Sequence, residues 1–230
     1  MRVFYITVGC SSPPSAHAET AGAPPPPATL LSRGGIPITL ARLIPWWPGD
    51  CGRLVPCSSQ TDAPDTVTRA AMDAHCLKWP VYPKPGARQP GDWWPGAGFA
   101  FPFVGEALVS ILNARSHDIL VADDLEFGGH VAWRLNEITG VPYVIICQED
   151  HPSALDTLRV RQRASRQRLL QAIQTQAEIV VDRNTSNAAI RLSLFPGVRS
   201  RVCNTLRDTS SELVRILQEA ANHAGETFDW

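Results

Sequence analysis

A chain of 230 residues is long enough for one large domain or two small ones, and 44% hydrophobic with 19% charged residues is ordinary globular composition. A formal net charge of -1 excludes a global attraction to nucleic acid or to an anionic membrane, so any such preference must come from a local patch. The six cysteines, at positions 10, 51, 57, 76, 147 and 203, form no CxxC pair and read as reduced, structural thiols of a cytosolic protein.

Val3 to Val8 is β-branched and aromatic, which suits a first strand buried on both faces better than a signal peptide. Ser11 to Pro27 holds four consecutive prolines and reads as a loop. Ala28 to Ser32 has room for one or two helical turns before Gly34 and Gly35, and Ile36 to Ile44 reads as a second strand. Between Pro45 and Phe103 lie ten of the twenty prolines and five of the seven tryptophans. This stretch, about 45–103, is an irregular insertion in which only Thr66 to Leu77 looks helical. Its tryptophans read either as anchors of the excursion or as an aromatic platform for a sugar or lipid acceptor.

From Phe103 the pattern becomes regular. Phe103 to Ala114 predicts an amphipathic helix with Val104, Leu108, Ile111 and Leu112 inward and Glu106 near its positive end. Ile119 to Ala122 is a short strand. Asp123-x-x-Glu126 fits a capping box for a helix whose stripe is Leu125, Val131, Leu135 and Ile138. Gly140 stops that helix and Pro142 prevents its resumption. Tyr143 to Cys147, Ile179 to Val181 and Arg201 to Cys203 read as strands. Asp156 to Gln176, Asn184 to Phe195 and Ser210 to Ala221 read as helices, the last with Leu213, Ile216, Leu217 and Ala220 on one face. Two strands followed by alternating helices and strands predict one α/β domain over 1–230, a doubly wound, mainly parallel Rossmann-like sheet with helices on both faces.

Ligands of such sheets sit beyond the carboxyl ends of the strands. That rule nominates Gly9 to Ser12, Asp123 to His130, Gln148 to His151 and Asp182 to Asn187. Within these, the substrate-binding candidates are Asp123, Asp124, Gln148, Glu149 and His151, since carboxylates, amides and imidazoles hydrogen-bond hydroxyl groups. Gly128 and Gly129, early in a helix, point to a close approach by backbone or ligand. There is no GxGxxG, no GK[ST] and no GxSxG, so phosphate-loop and hydrolase readings lack their motifs. Arg159, Arg163 and Arg166, within an arginine-rich helix, are candidates for peripheral contact with an anionic membrane surface.

Three segments resemble the N-terminal half of family-4-type glycosyltransferases of the GT-B fold. LLSRGGIPITLARL is similar to the family's "L-x-x-R-G-H-x-V-T". SHDILVADDLEFGGHVAWRLNEITGVPYVIICQEDH is similar to "P-D-V-V-H-x-H … A … G-x-P-x-V-x-T-x-H". AEIVVDRNTSNAAIRLSLFPGVRSRVCNTL is similar to "A-D-x-V-x-x-x-S … L … G-V … V-x-x-N-G-V". Together they cover roughly half the chain. The family's histidine aligns with Gln148, its H-x-H is replaced by Val121-Ala122-Asp123-Asp124, and its Gly-Gly loop by the proline-rich segment. The resemblance implies an acceptor-binding domain at which sugar is transferred, without a metal, from a nucleotide-sugar. That donor is expected on a partner domain or subunit carrying the E-x7-E signature; no cofactor is expected on this domain. The acceptor would be a sugar or lipid-linked molecule, and the location cytoplasmic, in part at the inner membrane face. The alternative is a non-catalytic Rossmann-like binding or scaffold module.

Overall fold

The computed structural model describes residues 1–8, 28, 31–32, 34–46, 54–55, 72–80, 97–125, 127–147, 160–182, 185–203 and 209–226. Eight strands and five helices among these residues define the architecture. The strands are β1 (Val3–Val8), β2 (Ile38–Trp46), β3 (Leu54–Val55), β4 (Met72–Pro80), β5 (Ile119–Ala122), β6 (Tyr143–Cys147), β7 (Ile179–Asp182) and β8 (Ser200–Val202). The helices are α1 (Ala97–Asn113), α2 (Gly128–Thr139), α3 (Val160–Gln176), α4 (Thr185–Leu194) and α5 (Thr209–Glu226).

The strands form one sheet in the order β3-β4-β2-β1-β5-β6-β7-β8. All pairings are parallel except the two-residue β3, which runs antiparallel to β4 at the edge. This is the doubly wound α/β sheet expected from the sequence. After β1 the chain builds outward through β2 and β4, then returns to the other side of β1 and builds outward again from β5. The order therefore reverses at β1, and the connections to left and right of it diverge.

β1 explains why the two halves hold together. Its alternating side chains enter two different cores, as period-two geometry requires. Phe4 and Ile6 join Leu43, Leu77, Leu108, Leu120, Leu135 and Ile173 on the face covered by α1, α2 and α3. Val3 and Tyr5 join Leu31, Ile38, Val121, Val144, Ile216 and Leu217 on the face covered by α5. Of the predicted inward residues of α1, Val104, Leu108 and Leu112 are buried and Ile111 is partly buried against the same core; in α5, Leu213, Ile216, Leu217 and Ala220 are all buried.

Local stop signals behave as their chemistry dictates. Gly35 adopts φ 75°, its N–H donates to the Ser32 carbonyl, and the Ile36 N–H donates to the Leu31 carbonyl. That pair of bonds is the Schellman ending of a helical turn, sealed by Leu31 and Ile36 in one core. Gly140, at φ 73°, closes α2 by donating to the Asn136 carbonyl.

Three expectations need correction, and one lies outside the described residues. Met72–Leu77 belongs to a strand, not a helix, because it lies along the full length of β2 from Ile38↔Met72 to Trp46↔Pro80. α1 begins at Ala97 rather than Phe103, which leaves Glu106 mid-helix and away from the positive end, at the cost of the one backbone bond that Pro102 cannot donate. Ile138 is 55% exposed. The last turn of α2, residues 136–139, is exposed or half-exposed throughout, so the buried stripe ends at Leu135 and is completed by Ala132 instead. The side chains of Arg159, Arg163 and Arg166 lie outside the described residues.

Two polar clusters lock the framework. His117 donates from Nδ1 to the Leu112 carbonyl (2.8 Å) and accepts at Nε2 from the Thr39 hydroxyl (2.9 Å), with its ring edge-on to Phe4. At the other end of the sheet, Asp182 is fully buried and receives Arg191 through Nε (3.0 Å to each oxygen) and Nη2 (2.7 Å). Arg191 Nη1 donates to Gln174 (2.6 Å), and the Ser200 hydroxyl donates to Asp182 (3.0 Å). One guanidinium thus joins α3, β7 and α4, while Asp182 brings in β8.

A buried pair is costly to break because the surviving charge stays desolvated. Arg191→Ala is expected to lower unfolding stability by about 3–5 kcal/mol, and Arg191→Lys to recover only part of it, since an ammonium lacks the planar fork. Urea unfolding followed by circular dichroism measures both; a loss below about 1 kcal/mol for the alanine variant would contradict this account.

Candidate functional site

In sheets of this class ligands sit where the strand order reverses, which here is at the carboxyl ends of β1 and β5. Parallel register decides which side chains share a face there. Thr7 is the Cα partner of Arg42 on β2, and Asp123 follows β5 immediately, donating its N–H to the Ile6 carbonyl at 3.3 Å. Arg42, Thr7 and Asp123 therefore form a row across three neighbouring strands. The Thr7 hydroxyl donates to Asp123 Oδ2 at 2.6 Å. Tyr5 lies one pleat deeper on the same face.

Asp124, one residue on, belongs to the opposite face. Its Oδ1 accepts from the Phe127 N–H (2.6 Å) and its Oδ2 from the Gly128 N–H (2.8 Å). Its backbone carbonyl accepts from the Gly129 N–H at 2.9 Å. The N-terminus of α2 is thus held by Asp124. The sequence reading gave that task to Asp123, with Glu126 as its counterpart; Asp123 faces the row instead, and Glu126 lies outside the described residues. α2 starts at Gly128, and Phe127 just before it makes no side-chain cap bond.

The two glycines follow from this geometry. A Cβ on Gly128 would lie 2.6 Å from Asp124 Oδ2. A Cβ on Gly129 would lie 3.2 Å from the Asp124 carbonyl oxygen and 3.4 Å from Ile173 of α3. The close approach expected of these glycines is made by the chain's own carboxylate and backbone.

Burial sets the electrostatics. Desolvation raises the Asp123 carboxyl to about 7, and the neighbouring Asp124 charge adds to this; the Thr7 hydroxyl and Arg42 act the other way without cancelling it. His130, in the first turn of α2, is buried and stacked at a tilt against Trp133. Burial and the nearby Arg134 lower its pKa to about 4. Cys147, at the end of β6, is pushed up to about 12 by burial, which makes it an inert core thiol. Asp182, also nominated from the sequence, is turned inward to Arg191. Of the five substrate-binding candidates, the structure describes Asp123 and Asp124. Gln148, Glu149 and His151 lie outside the described residues.

Three participants escaped the sequence reading: Thr7, Arg42 and Tyr5. Each looks like ordinary strand composition, and only the register between β2, β1 and β5 brings them together.

No family model matches the sequence, and no curated protein matches it. Solved structures do match in fold. A shorter chain of sucrose-phosphate synthase from Thermosynechococcus elongatus aligns with TM-score 0.52 and 11% identity, over 85% of this chain and 91% of that one. A longer chain of the same synthase gives TM-score 0.52 and 11% identity over 88% of this chain. The E. coli trehalose-6-phosphate structure bound with UDP-2-fluoro glucose gives TM-score 0.50 and 10% identity over 87% of this chain. This chain spans 48% of each of those two longer chains. These neighbours are GT-B glycosyltransferases, and the likeness is one of fold.

The two shifted groups have opposite consequences for folding. Between its ordinary value of 3.8 and about 7, Asp123 keeps its proton when folded and loses it when unfolded, so its contribution to stability falls as pH rises through that window. Between 6.5 and about 4, the unfolded chain protonates His130 before the folded chain does, so stability falls as pH drops. Asp123→Asn removes the first slope and keeps an acceptor for Thr7. The variant is expected to match wild type near the acid end of the window and to gain on it steadily toward neutrality. Urea midpoints measured across this range test it; parallel curves would contradict the shift at Asp123.

Proposed function

We propose that this chain is the acceptor-binding, N-terminal-type domain of a family-4-like GT-B glycosyltransferase. In this reading it works with a separate donor-binding domain or subunit that holds the nucleotide-sugar. The observation that carries the proposal is the Arg42–Thr7–Asp123 row at the point where strand order reverses. The fold likeness supports it, since this chain aligns with 91% of a short sucrose-phosphate synthase chain but only 48% of a longer one.

The chemistry follows from what sugar transfer requires. An acceptor hydroxyl must lose its proton as its oxygen attacks the sugar carbon that the nucleotide leaves. A general base works best when its pKa lies near the working pH. Asp123, held up to about 7 by burial, meets that condition. Thr7 fixes the carboxylate, and Asp124 acts from the other face by holding the start of α2. Gln148, Glu149 and His151 complete the proposed acceptor contacts, while Asp124, with both oxygens on the start of α2, positions that helix. No metal enters the scheme, because the developing charge resides on the nucleotide and would be met by the partner domain.

The test is reconstitution of this chain with the product of the adjacent reading frame and, separately, with a donor-binding domain carrying the E-x7-E signature. Radiolabelled UDP- and GDP-sugars serve as donors, with a panel of simple sugars and polyprenyl phosphates as acceptors. Transfer is expected only with both components, and Asp123→Asn is expected to reduce it by roughly 10²-fold or more. Transfer undiminished by Asp123→Asn would remove its role as base. Absence of transfer with every donor and acceptor would favour a binding or scaffold module.

A further inference from the structure

Tyr5 is 1% exposed and lies in the middle of the central strand, yet its hydroxyl has no hydrogen-bond partner among the described residues. Burying an unpartnered phenol costs stability, and phenylalanine would fill the same space without that cost. A side chain kept against such a cost calls for an explanation, and its position supplies one.

Val3, Tyr5 and Thr7 alternate onto one face of β1. Val3 and Tyr5 pack with Val121 and Ile119 of β5, and Thr7, next along that face, donates to Asp123. Two residues of strand advance about 6.5–7 Å, roughly the reach of a tyrosine side chain. Burial above all, and then the charges of Asp123 and Asp124, raise the Tyr5 phenol, so the hydroxyl lies within electrostatic reach of the end of β5. Arg42 stands on the far side of Thr7.

We propose that Tyr5 is a specificity-determining residue of the crevice: its hydroxyl, with Thr7 and Asp123, receives the innermost hydroxyl of an uncharged polyol or sugar ring. The inference rests on the acceptor-side reading above and adds to it the chemical class of the group that enters deepest. A phenol both donates and accepts, so it suits a ligand hydroxyl, which does the same. The Asp123 carboxylate on one flank disfavours an anion at this depth, and Arg42 on the other flank disfavours a cation. A site built around buried hydroxyl partners rejects a ligand that lacks the matching group, because its own polar atoms are then left unpaired.

The experiment uses the full chain with glucose and myo-inositol as uncharged probes and glucose 6-phosphate as the charged comparison, followed by saturation-transfer NMR titration. Wild type is expected to bind at least one uncharged probe more tightly than glucose 6-phosphate. Tyr5→Phe is expected to weaken that binding about tenfold while raising the melting temperature by roughly 2–4 °C, a combination that packing alone does not produce. If Asp123→Asn weakens binding and Tyr5→Phe does not, the assignment of Tyr5 fails and the acceptor crevice stands. If wild type binds neither uncharged probe, the crevice reading and the role of Tyr5 fall together.

Discussion

The structure depends on one strand being buried on both faces. β1 contributes Phe4 and Ile6 to the core under α1, α2 and α3, and Val3 and Tyr5 to the core under α5. It is also where strand order reverses, with β2 on one side and β5 on the other. Connections on the two sides lead away from β1, as a reversal of strand order requires. The ligand position expected of such a sheet is therefore a consequence of topology. The residues that reach it are those that alternation places at the strand ends: Thr7 from β1, Arg42 from β2 and Asp123 after β5.

The adjacent carboxylates Asp123 and Asp124 show how alternation separates tasks. They differ by one position, so they emerge on opposite faces. Asp124 meets the first N–H groups of α2, where a helix terminus favours a carboxylate, and both of its oxygens are used there. Asp123 meets a hydroxyl in a desolvated corner, where the charged form is disfavoured. The second arrangement is destabilising at neutral pH and the first is not. Gly128 ties the two together, since any larger residue would force Asp124 away from the helix it holds.

Much of the framework was legible because buried parallel strands are written as unbroken apolar runs. Val3–Val8, Ile119–Ala122 and Tyr143–Cys147 could be bounded to the residue. Helices with a clean stripe, such as the one carrying Leu213, Ile216, Leu217 and Ala220, were equally plain. Met72–Pro80 was not, because Met, Ala, His and Leu are as common in helices as in strands and its identity comes from pairing along β2. The site was legible in part. That the carboxyl end of β5 matters follows from fold class. Which of two aspartates faces the crevice depends on sheet register, and so does the recruitment of Thr7, Arg42 and Tyr5. The stop at Leu135 rather than Ile138 likewise depends on where α2 loses its support, a tertiary fact.

The central claim is that a hydroxyl ligand is received where β1 and β5 end. The most direct measurement is amide chemical-shift mapping of the labelled chain titrated with glucose. The account predicts shifts concentrated at Thr7, Arg42 and Asp123 through Gly129, with none at Glu178 and Arg199 near the opposite ends of the strands. Shifts confined to that opposite end, or to the exposed Ile190, Leu192 and Leu194 of α4, would contradict it.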